Sequence, residues 1–452
     1  MKHVSTSRQS ASRMPYVLLV LMLLILWTAG GSSREDVIGQ TIVRVSCWLL
    51  LITLLIAGRS PSFHRIKDVT LILGSSILLV ALQLVPVPPA IWTTLPGREL
   101  FSQSPLAAGH ALPWRPLSLS PGATLNSLSS LIVPLLTLVL LSFFKERHHK
   151  ALLSLILGLI TASSLLGLIQ FSGGQFNNPF INDIAGSVSA SFANRNHFAL
   201  FLAIGCLIAP AWACGGRHQK WKLPLAMGLI LLFSLSILAT GSRAGVVLGL
   251  LGVSIGMVIT RSQLAAYVRH LPKLFVGFAA GVFAILLLSA VWLSFALDRA
   301  ISLNRILSLD VSEDLRRKAL PVVWNMVESY FPFGTGFGTF DPAYRIHEPF
   351  ELLGLKYFNH AHNDFLEVVL EGGLGALILL VIAIVFWMKN SWIVWKSRRE
   401  INLLPMLGST ILLLVFCASI IDYPARTPMI MSIIVIAAVW LVQKPSRQLE
   451  RE

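Results

Sequence analysis

The sequence predicts an all-α polytopic membrane protein with about twelve transmembrane helices, and three observations lead there. The chain of 452 residues is 55% hydrophobic and only 13% charged, whereas about a quarter of the residues in a soluble protein are charged. Its mean hydropathy is +0.74. Apolar runs of bilayer-crossing length, about 17–25 residues each, recur from one end of the chain to the other.

The first run, MPYVLLVLMLLILWTAGG, follows a basic leader. It lacks a small-residue cleavage pattern, and its apolar core exceeds the ~7–15 residues of a signal peptide, so it reads as a retained first span. The expected spans are 14–31, 40–58, 68–87, 126–144, 151–171 and 197–214, then 223–240, 244–260, 274–296, 365–388, 404–421 and 427–443. Helices satisfy the backbone in lipid, and the runs are too long and too uniformly apolar for alternating barrel strands. The whole chain, 1–452, reads as one integral membrane domain.

The formal charge of +15 would point to nucleic acid in a soluble protein. Here the basic residues stand in short loops between apolar runs, which is the footprint of topology; the expected partner is the bilayer, not nucleic acid. One side holds the leader, GRSPSFHRIK, KERHHK, GGRHQKWK, TRSQLAAYVRHLPK, KNSWIVWKSRRE and the tail. Those segments carry 22 of the 36 Lys and Arg residues. Both termini are therefore expected in the cytoplasm, which an even number of spans allows. Arg44 falls inside the second span, the exception among charged groups.

Two outer segments are long. Residues 88–125 are rich in Pro, Gly and Ser and read as an irregular loop. Residues 297–364, between spans nine and ten, contain a stretch able to form surface helices and then FPFGTGFGTF. The alternating glycines do not follow a strand in a GxGxxG pattern, so a turn with close backbone packing is expected rather than a nucleotide site. Cys47, Cys206, Cys214 and Cys417 lie in or at the ends of apolar runs without CxxC spacing, and read as small buried apolar residues.

Five polar motifs fall on the outer side: NRNH with Arg195 and His197, GSRAG with Arg243, the pair Arg316 and Arg317, NHAHND with His360, His362 and Asp364, and DYPART with Asp422 and Arg426. Arginine forks bind pyrophosphate oxygens in bidentate fashion, so Arg195, Arg243 and Arg317 are candidates for an anionic leaving group. The alternative for Arg243 is an interfacial arginine reaching lipid phosphates. The HxH followed by Asp lacks a further cluster of metal-ligand spacing, so no metal and no cofactor is expected. Asn363 or Asp364 suits a helix cap. That leaves the histidines, whose pKa near 6.5 fits a base for a hydroxyl. His197 reads as the first polar residue of a span, Asp422 and Arg426 as an ion pair four residues apart, and Glu367 and Glu371 as capping or pairing residues.

Through SFANRNHFALFL, LATGSRAGVVLGLLGV, RRKALPVVWNMVESYFPFGTGFGTF and HAHNDFLEVVLEGGLGAL the chain resembles the O-antigen ligase and polymerase superfamily of bacterial membrane glycosyltransferases, over about residues 190–390. The resemblance implies a GT-C-like fold and a periplasmic active site in the inner membrane, partly built by the loop 297–364. It implies metal-independent, inverting transfer of a glycan from an undecaprenyl-pyrophosphate carrier to a saccharide acceptor, as in lipopolysaccharide assembly. Arg243 and Arg317 resemble the family's pyrophosphate-binding arginines and His362 its catalytic histidine. Arg195 matches as a further phosphate contact. His360, two residues earlier, leaves open which imidazole acts, and Pro321 stands where the family often has an aromatic after the loop arginine. The rival from another class is a transporter or channel for an anionic solute, with the arginines as its mouth; few charged residues lie deep in the spans to support it.

Overall fold

The computed structural model describes residues 2–58, 60–174, 178–182, 187–215, 221–269, 311–353, 358–397 and 403–443, with four single positions between 277 and 289. Side chains are described from Arg13 onward. The described chain is nearly all helix. In order the helices are α1 Lys2–Ala29, α2 Ile38–Ile56, α3 Lys67–Leu82, α4 Pro89–Trp92, α5 Glu99–Ala107, α6 Pro121–Ser130, α7 Ile132–Leu141 and α8 Glu146–Phe171. Then follow α9 Arg195–Cys214, α10 Lys222–Ala239, α11 Arg243–Val268, α12 Val311–Tyr330, α13 Phe340–His347, α14 Asp364–Lys396, α15 Leu403–Ser419 and α16 Pro428–Leu441.

Seven helical stretches among the described residues are long and apolar enough to cross a membrane, and three shorter apolar helices accompany them. Each expected span has a helix in its place except the ninth, 274–296, which lies outside the described stretches. Two boundaries differ. The third span stops at Leu82, because Pro86–Val87 pairs antiparallel with Arg115–Pro116. The fourth begins at Pro121 and is divided at Leu131 into α6 and α7. The outer segment 88–125 is also more ordered than its Pro and Gly content predicts. It carries α4 and α5, and Arg98 donates to the carbonyls of Leu117 (2.6 Å) and Gly334 (3.0 Å).

Helix α9 is the centre of the bundle. Every residue from His197 to Ala211 is buried. Its approach to α11 depends on small residues: a Cβ on Gly252 would stand 2.6 Å from the Ala203 carbonyl oxygen, and one on Gly256 would stand 2.9 Å from that of Leu207. Small-xxx-small stripes of this kind let helices pack backbone to backbone in lipid. By contrast α2 and α14 show apolar outer faces. Trp48, Leu49, Ile52 and Leu55 on the first, and Ile378, Val381, Ile382 and Val385 on the second, are all exposed. Such rows are expected where lipid is the neighbour.

The segment FPFGTGFGTF ties this end of the bundle together. Gly334, Gly336 and Gly338 all have positive φ, and a Cβ on Gly334 would stand 2.5 Å from the Glu371 carbonyl oxygen. The segment enters a break in α14, where Gly373 leaves the helical region at φ 57° and ψ −145°. Leu374 N donates to the Pro332 carbonyl (2.7 Å), Thr335 N to Leu370 O (3.0 Å) and Gly336 N to Glu371 O (2.9 Å), so groups freed by the break are paired again. Gln83 closes the knot: its Nε2 donates to Glu371 O (2.9 Å) and its Oε1 accepts from Phe337 N (3.0 Å). The break fixes the first two turns of α14 as a short, separately held piece.

Arg44, the charge inside the second span, is matched within the protein. It donates to Asn126 Oδ1 (2.6 Å), and its other arm lies 3.4 Å from Gln40 Oε1.

Candidate functional site

The N-terminal ends of α9, α11, α14 and α16 and the C-terminal end of α15 meet around Asp422, which sits in the turn between α15 and α16. Its side chain is 2% exposed. Oδ2 accepts from Asn196 Nδ2 (2.6 Å) and Asn194 Nδ2 (3.1 Å). Oδ1 accepts from Tyr423 N (3.0 Å) and His362 Nδ1 (3.2 Å), with His197 Nε2 at 3.8 Å. Burial by itself would raise the carboxyl pKa. The hydrogen bonds and charges of His197 and His362 outweigh it and hold Asp422 well below the usual carboxylate range. Asp422 is therefore an anion that only accepts.

That fixes the tautomer of His362. Its Nδ1 carries the proton donated to Asp422, and Nε2 keeps its lone pair with no partner among the described residues. The ring is 14% exposed, enough for a reactant to reach it. Burial, the Arg316 charge and His360 press its pKa below the ordinary histidine value, against the opposing pull of Asp422. His362 also holds φ 52°, a left-handed conformation that a residue with a Cβ rarely adopts and that concentrates at functional sites.

His360 is arranged differently. Its Nδ1 is 2.8 Å from Glu367 Oε1, and Nε2 is 3.3 Å from Ser33 Oγ, so both nitrogens are engaged. Its ring lies against Tyr423, centroids 4.2 Å apart, with His362 at 5.0 Å from the same phenol. Tyr423 is buried, and its hydroxyl has Asn359 and Asn194 as partners. Between the two imidazoles, Tyr423 acts as a rigid spacer.

The motifs named from sequence join through short chains of hydrogen bonds. Asn194 is the N-cap of α9, its Oδ1 accepting from Asn196 N (2.8 Å). Ser242 of GSRAG donates to Asn196 Oδ1 (2.8 Å) and accepts from Gly245 N (3.0 Å), which caps α11. The GSRAG turn is thus two side chains away from Asp422. Arg243 is the exposed first residue of α11. Arg195, also exposed, brings its Nη1 to 3.6 Å from where a Cβ on Gly241 would stand, beside that turn. In α12, the half-buried Arg316 is the arginine whose charge acts on His362 and Tyr423, while Arg317 is exposed.

Two expectations need correction, and a third, left between two residues, falls to one of them. Asp422 and Arg426 do not pair with each other: Asp422 serves the histidines and asparagines, whereas Arg426 turns to the buried face of α14. Its Nη2 reaches Glu371 Oε2 (2.9 Å) and Glu367 Oε1 (3.2 Å), and its Nε lies 3.6 Å from Asp364 Oδ1. His197 is not merely the edge of a span, since its Nδ1 meets Thr427 Oγ1 at 2.9 Å and its other nitrogen faces Asp422. Capping falls to Asn363, whose Oδ1 accepts from Leu366 N (3.0 Å), while Asp364 Oδ2 accepts from Ser419 Oγ (2.8 Å) and Ala425 N (3.1 Å). Sequence reasoning also passed over Ser33, Tyr423 and the bridging role of Asn196. Their one signal was a shared outer position, which many inert residues share as well. Among the described residues no group of three His, Cys, Asp or Glu side chains is arranged to hold a metal ion.

Residues 228–381 match the family model described as O-antigen ligase. The match covers part of the chain, and over that part it supports a likeness to the O-antigen ligase/polymerase superfamily. No match to a curated protein accompanies that finding. The matched stretch contains Arg243, the two arginines of α12 and both histidines 360 and 362, while Arg195 and Asp422 lie outside it. The match supports an O-antigen ligase/polymerase-like function in polysaccharide assembly, and together with the apolar helices it points to a multi-pass bacterial membrane protein.

Proposed function

We propose that this protein belongs with the O-antigen ligases and polymerases and transfers a glycan from an undecaprenyl-pyrophosphate carrier to an acceptor hydroxyl, at the periplasmic face of the inner membrane. The observation that carries the reading is the His362–Asp422 pair: an oriented imidazole with an open Nε2, on which the Arg316 charge acts. Nε2 takes the proton of the acceptor hydroxyl as its oxygen bonds to the anomeric carbon. The bond from that carbon to the pyrophosphate oxygen breaks, and the carrier pyrophosphate departs with the electron pair. A single displacement of this kind inverts the anomeric centre.

Charge grows on the leaving pyrophosphate during the transition state, so fixed cations contribute more there than in the ground state. Arg243 beside the GSRAG turn, with Arg195 next to it, is assigned to that charge. Of the α12 pair, Arg316 is preferred to Arg317 because its charge already acts on His362. His362 is preferred to His360 as the base because both ring nitrogens of His360 are engaged. The chemistry needs no metal: a neutral base and guanidinium groups supply both proton transfer and charge stabilisation. The full architecture we assign is GT-C-like, with twelve spans, both termini in the cytoplasm and the 297–364 loop over the site.

The deciding experiment supplies a purified lipid-linked glycan donor to the reconstituted chain. Transfer should proceed in excess EDTA with inversion, and His362→Ala should abolish it while membrane insertion is unchanged. Activity lost in EDTA and restored by Mg²⁺ or Mn²⁺ would refute the metal-free chemistry. Solute flux into proteoliposomes without any transfer would favour the transporter reading.

A further inference from the structure

The left-handed backbone at His362 requires a hold on both of its neighbours, and the contacts around it supply one on each side. On the C-terminal side Asn363 caps α14 through Leu366 N and donates from Nδ2 to the Ile420 carbonyl (3.0 Å). On the N-terminal side the two oxygens of one buried carboxylate grip the chain. Glu367 Oε1 meets His360 Nδ1 at 2.8 Å, and Oε2 accepts from Ala361 N at 2.7 Å. Glu367 therefore reads a side chain and a backbone amide in the two residues just before His362.

Glu367 is in turn held by Arg426, 3.2 Å from its Oε1. Arg426 cannot drift, because Glu371 and Asp364 on the same face of α14 pair with it as well. Glu371 is fixed by the Phe340 amide, which donates to its Oε1 (3.1 Å). Arg426 belongs to the turn that also carries Asp422. One turn thus reaches His362 by two arms, directly to the imidazole through Asp422, and to the preceding backbone through Arg426 and Glu367. Two attachments from a single rigid piece define both where the ring sits and how it is rotated.

We propose that Glu367, locked by Arg426, is a positioning residue that sets the aim of His362 Nε2 by holding the 360–362 turn. The proposal rests on the transferase reading for its kinetic consequence, but its structural half stands apart from it. Glu367 touches no reactant. A misplacement on the order of 1 Å at a reacting group costs about 10²-fold in rate, so its loss should appear in turnover rather than in substrate binding.

The test uses the full chain and the variant Glu367→Gln, which keeps the volume but has one acceptor oxygen for the three donors His360, Ala361 N and Arg426. Arg426→Lys is the second variant, keeping the charge without the fork. In Glu367→Gln we expect kcat to fall about 10- to 100-fold with both KM values within about twofold of wild type. Hydrogen exchange of peptides covering 358–363 should quicken, while peptides from α9 stay as protected as before. Arg426→Lys should move both readouts in the same direction by less. Unchanged exchange and turnover in both variants would overturn the proposal. So would a loss carried by KM, which would make Glu367 a substrate contact, or faster exchange through α9 in both variants, which would make the cluster purely structural. If wild type transfers no glycan, the transferase reading fails, and the exchange comparison still decides whether Glu367 holds the turn.

Discussion

His148 and His149 at the start of α8, and His360 and His362 just before α14, stand at opposite ends of the bundle. His149 is reached by Trp440, near the end of α16, and His197, beside the second pair, by Thr427 at its start. Thirteen residues of helix at about 1.5 Å each put ~20 Å between those ends. The first pair is boxed by aromatic rings, with Phe144 5.3 Å from His148 and 5.4 Å from His149. Its nitrogens face N–H donors: the Lys145 amide and the Arg147 guanidinium stand at the two nitrogens of His148, whose single lone pair one of them takes, and the Trp440 indole donates to His149 Nδ1. The second pair has carboxylates instead. A donor to an imidazole occupies the lone pair that a base needs; a carboxylate binds the N–H and leaves the other lone pair open. The chemistry of each pair is set by its partners, not by the histidines.

The largest expected effect separates the two ends outright. His362→Ala should lower transfer about 10²–10⁴-fold, the usual share of a general base, while His149→Ala leaves turnover per folded molecule within about twofold. Comparable losses in both, measured on purified protein with a lipid-linked donor, would break the comparison. Next comes Asp422→Asn, which keeps the shape but loses the anion that orients His362. Loss of such an orienting partner costs about 10–100-fold, and inspection of the amide network by hydrogen exchange should find the fold intact.

The pH profile sharpens the same contrast. The folded pKa of His362 is lowered, so its neutral, basic form is present at pH 7, and kcat/KM should fall only as pH drops below about 6.5. Arg316→Gln removes one of the charges that lower it, so the acid limb should move to higher pH, by on the order of half a unit. Arg317→Gln, at the exposed neighbour, should move that limb less than Arg316→Gln does. The smallest effect lies at the other end: Trp440→Phe deletes the indole donor to His149 and should cost about 1 kcal/mol of stability, seen as a lower melting temperature with transfer unchanged.

Much of this was legible in one dimension. Apolar length fixed where the helices lie, since a bilayer demands about 20 apolar residues per crossing and leaves little choice of structure. The glycines of FPFGTGFGTF were rightly expected in a tight turn, though nothing local could say that the turn enters a break in α14. The candidate histidines and Arg243 were visible because short polar motifs stand out against apolar flanks. The pairing of Asp422 was not visible. Spacing of four suggested Arg426, but the proline after Tyr423 makes a 3-10 turn rather than an α-helix, so the two side chains diverge.

By itself, then, the sequence determined a helical membrane protein with its polar motifs gathered on one side. Burial is dictated by composition and period, and those are local properties. Only the tertiary structure decided which imidazole keeps an open nitrogen, that Asp422 binds it, and that Glu367 binds the two residues before it. Those are contacts between residues as far apart as 60 positions for His362 and Asp422, and 327 for Ser33 and His360. Such choices depend on how helix ends converge, and no spacing along the chain encodes that.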